Sequence, residues 1–112
     1  MQRSETDFLL DIKVECEIIL KHSRNKKIHE LLDDEILSRA IERSLEIIGE
    51  AAKQISNETK EKYNHIEWRK ISGLRDIIIH QYFGVDHDLI WDIISNKIPE
   101  LYLNIKKIIE QK

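Results

Sequence analysis

The stretch Leu37-Ser38-Arg39-Ala40-Ile41-Glu42-Arg43-Ser44-Leu45-Glu46-Ile47-Ile48-Gly49-Glu50-Ala51-Ala52-Lys53-Gln54-Ile55 decides the fold. Leu37, Ile41, Ser44, Ile48, Ala51 and Ile55 alternate steps of four and three without a break, which places them along one face of a helix and nowhere near the period of a strand. Small residues at Ala40, Ala51 and Ala52 permit a neighbouring helix to come close. Gly49 inside this run costs roughly 1 kcal/mol relative to Ala. It is therefore expected to mark tight packing or a functional surface rather than a helix boundary. Asp33 and Asp34 sit near the start of the pattern, where carboxylates suit the helix dipole.

Working outward, Leu9, Ile12, Cys16 and Ile19 mark the buried face of a first helix from Thr6 to about His22. The basic run Lys21-His22-Ser23-Arg24-Asn25-Lys26-Lys27 reads as a solvated connection at that helix's C-terminal end, where cations are favoured. Ser56-Asn57-Glu58-Thr59 offers cap-type residues, predicting a turn or brief helix to Tyr63. Trp68, Ile71, Leu74 and Ile78 predict a third long helix, starting between His65 and Glu67 and closing at Phe83-Gly84, with Asp86 free to cap the next. In the last region Ile90, Ile94, Ile98, Leu101, Ile105 and Ile108 again recur by fours and threes. Pro99 cannot donate to a helix ladder, so a break is expected near Lys97 to Pro99. Four or five helices with short connections predict an all-α, up-down bundle.

Composition agrees. At 112 residues, 41% hydrophobic and 35% charged with three Gly and one Pro, residues 1–112 suit one helical domain better than a sandwich or a disordered tail. The lone Cys16 has no internal disulfide partner, and no charged-then-apolar leader or long apolar run follows Met1, so a cytoplasmic protein with no membrane contact is expected. A formal net charge of −3 argues against a broad basic field for gripping nucleic acid. Any RNA contact must be local.

The chemistry concentrates in Leu74-Arg75-Asp76-Ile77-Ile78-Ile79-His80-Gln81-Tyr82-Phe83-Gly84. On an ideal helix Asp76 and His80 stack at i and i+4, while Arg75 and Tyr82, seven apart, nearly superpose on the adjacent stripe. All four groups then converge on one patch. Phosphodiester cleavage without a metal needs a base for the ribose 2′-hydroxyl, an acid for the leaving 5′-oxygen, and cationic stabilisation of the phosphorane. His80 serves as base or acid near neutrality, Asp76 orients its ring and favours the imidazolium, and Arg75 offers a charged fork matched to phosphate oxygens. One chain supplies a single such His. Two proton transfers therefore point to two copies meeting in a composite site. Ser72 and Gly73 lie one turn before the Asp76–His80 stripe and leave the backbone there thinly covered.

The spacing Arg-x(4)-His-x-Tyr, with Asp directly after Arg, resembles the signature of the HEPN superfamily, specifically HepT-like toxins of HepT/MNT toxin–antitoxin systems. The likeness extends to Ile47-Ile48-Gly49-Glu50-Ala51-Ala52, Trp68-Arg69-Lys70-Ile71, Phe83-Gly84-Val85-Asp86 and Ile98-Pro99-Glu100-Leu101. It implies an all-helical homodimer acting as a metal-independent ribonuclease on RNA, with Arg75 and His80 catalytic and Asp76 supporting. It also implies a partner, a minimal nucleotidyltransferase (MNT) antitoxin that uses ATP to attach AMP to the motif tyrosine, here Tyr82. Such a modification would place phosphate charge beside Arg75 and exclude RNA.

Plainer readings stand beside this one. A non-catalytic helical accessory subunit of a nucleotidyltransferase would suit the mild acidity, and a purely structural bundle would leave the motif unexplained. Glu50 reads as an exposed or structural carboxylate before it reads as a cleft residue. His22, His29, His65 and His87 lack the pairing of a metal site, and no Gly-rich phosphate loop is present, so no metal and no cofactor is expected.

Overall fold

A computed structural model describes residues 3–74 and 87–112 of the chain, and every structural statement below concerns those residues. They form helices and no strands. The first helix, α1 (Glu5–Ser23), opens on a reciprocal cap in which Ser4 Oγ accepts from the Asp7 N–H at 3.2 Å and the Asp7 carboxylate accepts from the Ser4 N–H at 2.9 Å. Its stripe Leu9, Ile12, Cys16 and Ile19 is wholly buried, as the spacing predicts. Burial also pushes the Cys16 thiol up to about 12, which leaves it inert as a nucleophile at neutral pH.

Asn25 turns the chain after α1 by adopting the left-handed region at φ 61°, a conformation Asn tolerates better than most residues. A short helix, α2 (Ile28–Asp33), follows and buries Leu31. Next comes α3 (Glu35–Lys53), where the Asp34 carboxylate accepts from the Leu37 N–H at 3.0 Å and so caps the first turn. Ile41, Ser44, Leu45, Ile48, Gly49, Ala51 and Ala52 form its buried face. Gly49 is thus a packing residue inside an unbroken helix.

Ser56 caps α4 (Asn57–Lys62), accepting from the Thr59 N–H, and Glu67 precedes α5 (Trp68–Ser72). The expected third long helix is interrupted. Gly73 sits at φ −87°, ψ 3°, and its N–H is shared by the carbonyls of Arg69 and Lys70 at 3.1 and 3.2 Å, which closes the turn before helix resumes at Leu74. The remainder of that expected helix, with the proposed caps at Gly84 and Asp86, lies outside the described residues.

The C-terminal region corrects a second expectation. No break occurs near Pro99: α6 (His87–Asp92) runs through a π-helical turn, Ile93–Lys97, directly into α7 (Ile98–Glu110). Backbone angles stay helical at Asp92, Lys97 and Ile98, and the Ile98 N–H reaches back to the Ile93 carbonyl, one residue beyond the α pattern. The widened turn gives room at the position where the Pro99 ring would otherwise press on the preceding turn, and Pro99 falls in the first turn of α7, where its missing N–H costs little.

α1 packs most extensively against α3 and α7, and α3 in turn supports α5 and α2. One apolar cluster joins them, from Leu9 and Ile48 to Ile98, Ile105 and Ile108. Glu5 ties the two ends of the chain to this bundle. Its carboxylate accepts from the Ser56 N–H at 2.7 Å, from Thr59 Oγ1 at 2.9 Å and from Lys112 Nζ at 2.9 Å. Partial burial pushes this carboxyl up, but the hydrogen bonds from Ser56, Lys112 and Thr59 outweigh it and hold the group at about 2.

The sign of the resulting pH dependence follows. A carboxyl depressed in the folded state contributes stability above its unfolded value and loses it as pH falls through the folded one. In urea titrations, Glu5→Gln is expected to lower stability by about 1–3 kcal/mol at neutral pH. The gap between variant and wild type should close as pH falls from 4.5 towards 2. A gap independent of pH would count against the clasp.

Candidate functional site

Arg75, Asp76, His80 and Tyr82 lie outside the described residues, so their mutual geometry is not part of the structure described. What the fold does establish is how the chain enters and leaves that segment. On the entry side Trp68 and Leu74 are buried, and the Trp68 indole N–H donates to the Tyr63 carbonyl at 3.1 Å, fixing α5 to the connection before it. On the exit side Ile90 of α6 and Ile93 of the π turn are buried in the same cluster. The described residues on both sides of the motif segment therefore include members of the core.

Between those two anchors lies a cavity of about 540 Å³. Its walls come from the connection before α5, from α5 and Gly73, from α6 and the π turn, and from the first turns of α7. Ile66, Ile71, Leu74, Ile93, Ile98 and Leu101 give it an apolar floor. Gly73, expected to leave backbone thinly covered, lines it.

Charge is arranged unevenly around the mouth. Glu67 is shared by two ammonium groups, Lys70 at 2.7 Å and Lys97 at 3.5 Å. The hydrogen bond and charge of Lys70, then the charge of Lys97, lower the Glu67 carboxyl, and Glu67 in turn raises Lys70. Asp92 accepts from Asn96 Nδ2 at 2.7 Å. Glu100 and Asn104, one turn apart on α7, also line the cavity.

Other candidates fall away from this place or stay plain. Glu50 is exposed on α3, as its bland reading expects. His22 and His29 are exposed on α1 and α2, and His65, also exposed, lines the cavity from the connection before α5. Among the described residues no three His, Cys, Asp or Glu side chains gather as metal ligands, and no helix is long and apolar enough to cross a membrane. Lys70 and Glu100 stood out in the sequence only as parts of Trp68-Arg69-Lys70-Ile71 and Ile98-Pro99-Glu100-Leu101, and Glu67, Lys97 and Asn104 carried no signal beyond the i, i+3 spacing of Glu67 and Lys70, because the cavity is assembled from elements far apart in the chain.

Comparison with known proteins gives a consistent result. The family described as ribonuclease HepT-like matches residues 12–108. A protein of Caldanaerobacter subterraneus subsp. tengcongensis named "Putative RNase TTE0752" is 40% identical over 105 residues, 94% of each chain. "Putative RNase MJ1216" of Methanocaldococcus jannaschii is 39% identical over 92% of this chain and 85% of its own. "Probable ribonuclease HepT" of Thermococcus cleftensis is 39% identical over 96% of this chain and 98% of its own. No solved structure matches.

Proposed function

Because the chain belongs to the ribonuclease HepT-like family, we propose that it is a metal-independent endoribonuclease, the toxin of a toxin–antitoxin pair, acting as a homodimer. The observation that carries this reading is the ordered set Arg75, Asp76, His80 and Tyr82 within a chain similar over nearly its whole length to proteins named as ribonucleases. Arg75 and His80 are its catalytic residues and Asp76 supports His80.

The chemistry is transesterification followed by release. His80 of one copy takes the proton of a ribose 2′-hydroxyl, and that oxygen attacks the adjacent phosphorus. The bond from phosphorus to the 5′-oxygen breaks, and the His80 imidazolium of the second copy protonates the leaving oxygen. Arg75 binds the non-bridging oxygens as negative charge accumulates on the phosphorane. The products are a 2′,3′-cyclic phosphate and a 5′-hydroxyl end.

Control falls to a nucleotidyltransferase antitoxin that transfers AMP from ATP to the Tyr82 phenol, releasing pyrophosphate. The added phosphate brings negative charge next to Arg75 and bulk into the path of RNA.

Purified protein is expected to cleave RNA in the presence of EDTA. Arg75→Ala and His80→Ala should each lower cleavage by about 100-fold or more with circular dichroism unchanged, in keeping with loss of a proton-transfer or charge-stabilising group. Full activity in either variant would remove that residue from the mechanism, and growth arrest relieved by His80→Ala would exclude a non-catalytic accessory role. Incubation with the antitoxin and ATP should add AMP mass to the wild type and none to Tyr82→Phe. An unchanged wild-type mass would count against this form of control.

A further inference from the structure

We propose that the cavity between α5 and the first turns of α7 is a base-binding subsite, which receives an unpaired guanine of the RNA next to the cleaved bond. The inference rests on the ribonuclease reading and deepens it by naming what the enzyme selects. Position is the first argument. Leu74, on the cavity wall, directly precedes Arg75 in the chain, and Leu89, on the opposite side, follows Asp86 after two residues. A base held there lies beside Leu74 and Leu89, the described residues on either side of the motif segment.

Size and lining are the second. A volume of about 540 Å³ lies within the range of about 300–1,000 Å³ typical of small-ligand sites. The floor of Ile66, Ile71, Leu74, Ile98 and Leu101 buries a flat ring face. One wall is the π turn, a form of helix frequent at functional positions.

The third argument is which polar groups remain available. Glu67 is occupied by Lys70 and Lys97, and Asp92 accepts from Asn96. Among the described residues His65, Glu100 and Asn104 line the cavity with no hydrogen-bond or ion-pair partner, Glu100 and Asn104 one turn apart on α7. Glu100 also suits the first turn of α7, but the helix dipole gives no reason for Asn104 to share that side. A carboxylate is an acceptor only. Guanine is the base that presents two adjacent donors, its ring N1–H and its exocyclic amine, to one carboxylate, while Asn104 can donate to its carbonyl oxygen. Uracil would set carbonyl oxygens against Glu100.

The test uses full-length protein and short single-stranded RNAs with 2′-fluoro sugars, which lack the attacking hydroxyl, read by fluorescence anisotropy. An oligonucleotide with one guanine among uracils should bind about tenfold tighter than the all-uracil chain, with inosine between them. Glu100→Gln and Asn104→Leu should each reduce that preference to about twofold or less. Equal binding of all three oligonucleotides by the wild type, or a preference that survives both variants, would overturn the proposal. So would loss of antitoxin affinity in Glu100→Gln with RNA binding unchanged, which would assign the cavity to protein contact. Cleavage of ordinary RNA, measured in parallel, separates the two readings. Cutting without base preference leaves the nuclease and removes the subsite, whereas guanine-selective binding without cutting leaves the subsite and removes the nuclease.

Discussion

The burial of Leu9, Ile12, Cys16 and Ile19 holds the rest of the molecule in place, because α1 is the element that packs broadly against both α3 and α7. Leu9, Ile12 and Ile19 each contribute roughly 1.5–3 kcal/mol when fully removed from water, and with Cys16 they lie on one stripe that two neighbours must share. That sharing explains the small residues of α3. Ser44, Gly49, Ala51 and Ala52 keep its buried face shallow, so α3 can sit close to α1 while still carrying α5 on its other side. The clasp at Glu5 works on the same element. It joins the first turn of α1 to the start of α4 and to Lys112, so the lead into α5 and the end of α7 are both referred to α1.

The π turn shows how a residue with a clear local rule can act through its neighbours. Pro99 was expected to break the last helix, yet the break is replaced by one wide turn upstream of it. The apolar positions give the reason. Ile90, Ile94 and Ile98 are separated by two successive steps of four, and all three are buried. A step of four overshoots an α turn of 3.6 residues and falls short of the wider π turn. One turn of each kind lets the two drifts offset, and Ile98, Leu101, Ile105 and Ile108 continue on the buried face. A simple break would have released that constraint and the wall it builds beside the cavity.

Helices of several turns declare themselves in a sequence because each turn repeats the same apolar demand. α1 and α3 were legible for this reason, down to the four buried residues of α1. α2 was not, since its single buried residue, Leu31, has no period to belong to. Gly73 was legible as exposed backbone but not as an interruption, because a glycine is compatible with either outcome until its carbonyl partners are known. The candidate site divides the same way. Arg75, Asp76, His80 and Tyr82 stand out because unusual residue types crowd into an apolar run, whereas Glu100 and Asn104 are ordinary surface residues until α5 is placed opposite them.

The net charge bears on how such a site would hold RNA. At a formal −3 the chain offers no broad attraction for phosphate, and non-specific affinity from released counterions scales with the number of cations engaged. Under the proposed reading, few phosphates are contacted, so binding must draw more on fixed, short-range groups. Trp68 and Leu74 before the motif and Ile90 after it belong to the same apolar cluster as α1. A weak electrostatic field then becomes an advantage for a destructive enzyme. Under the proposed reading, RNA without the right base would gain little by staying, and selection would rest on the cavity rather than on charge.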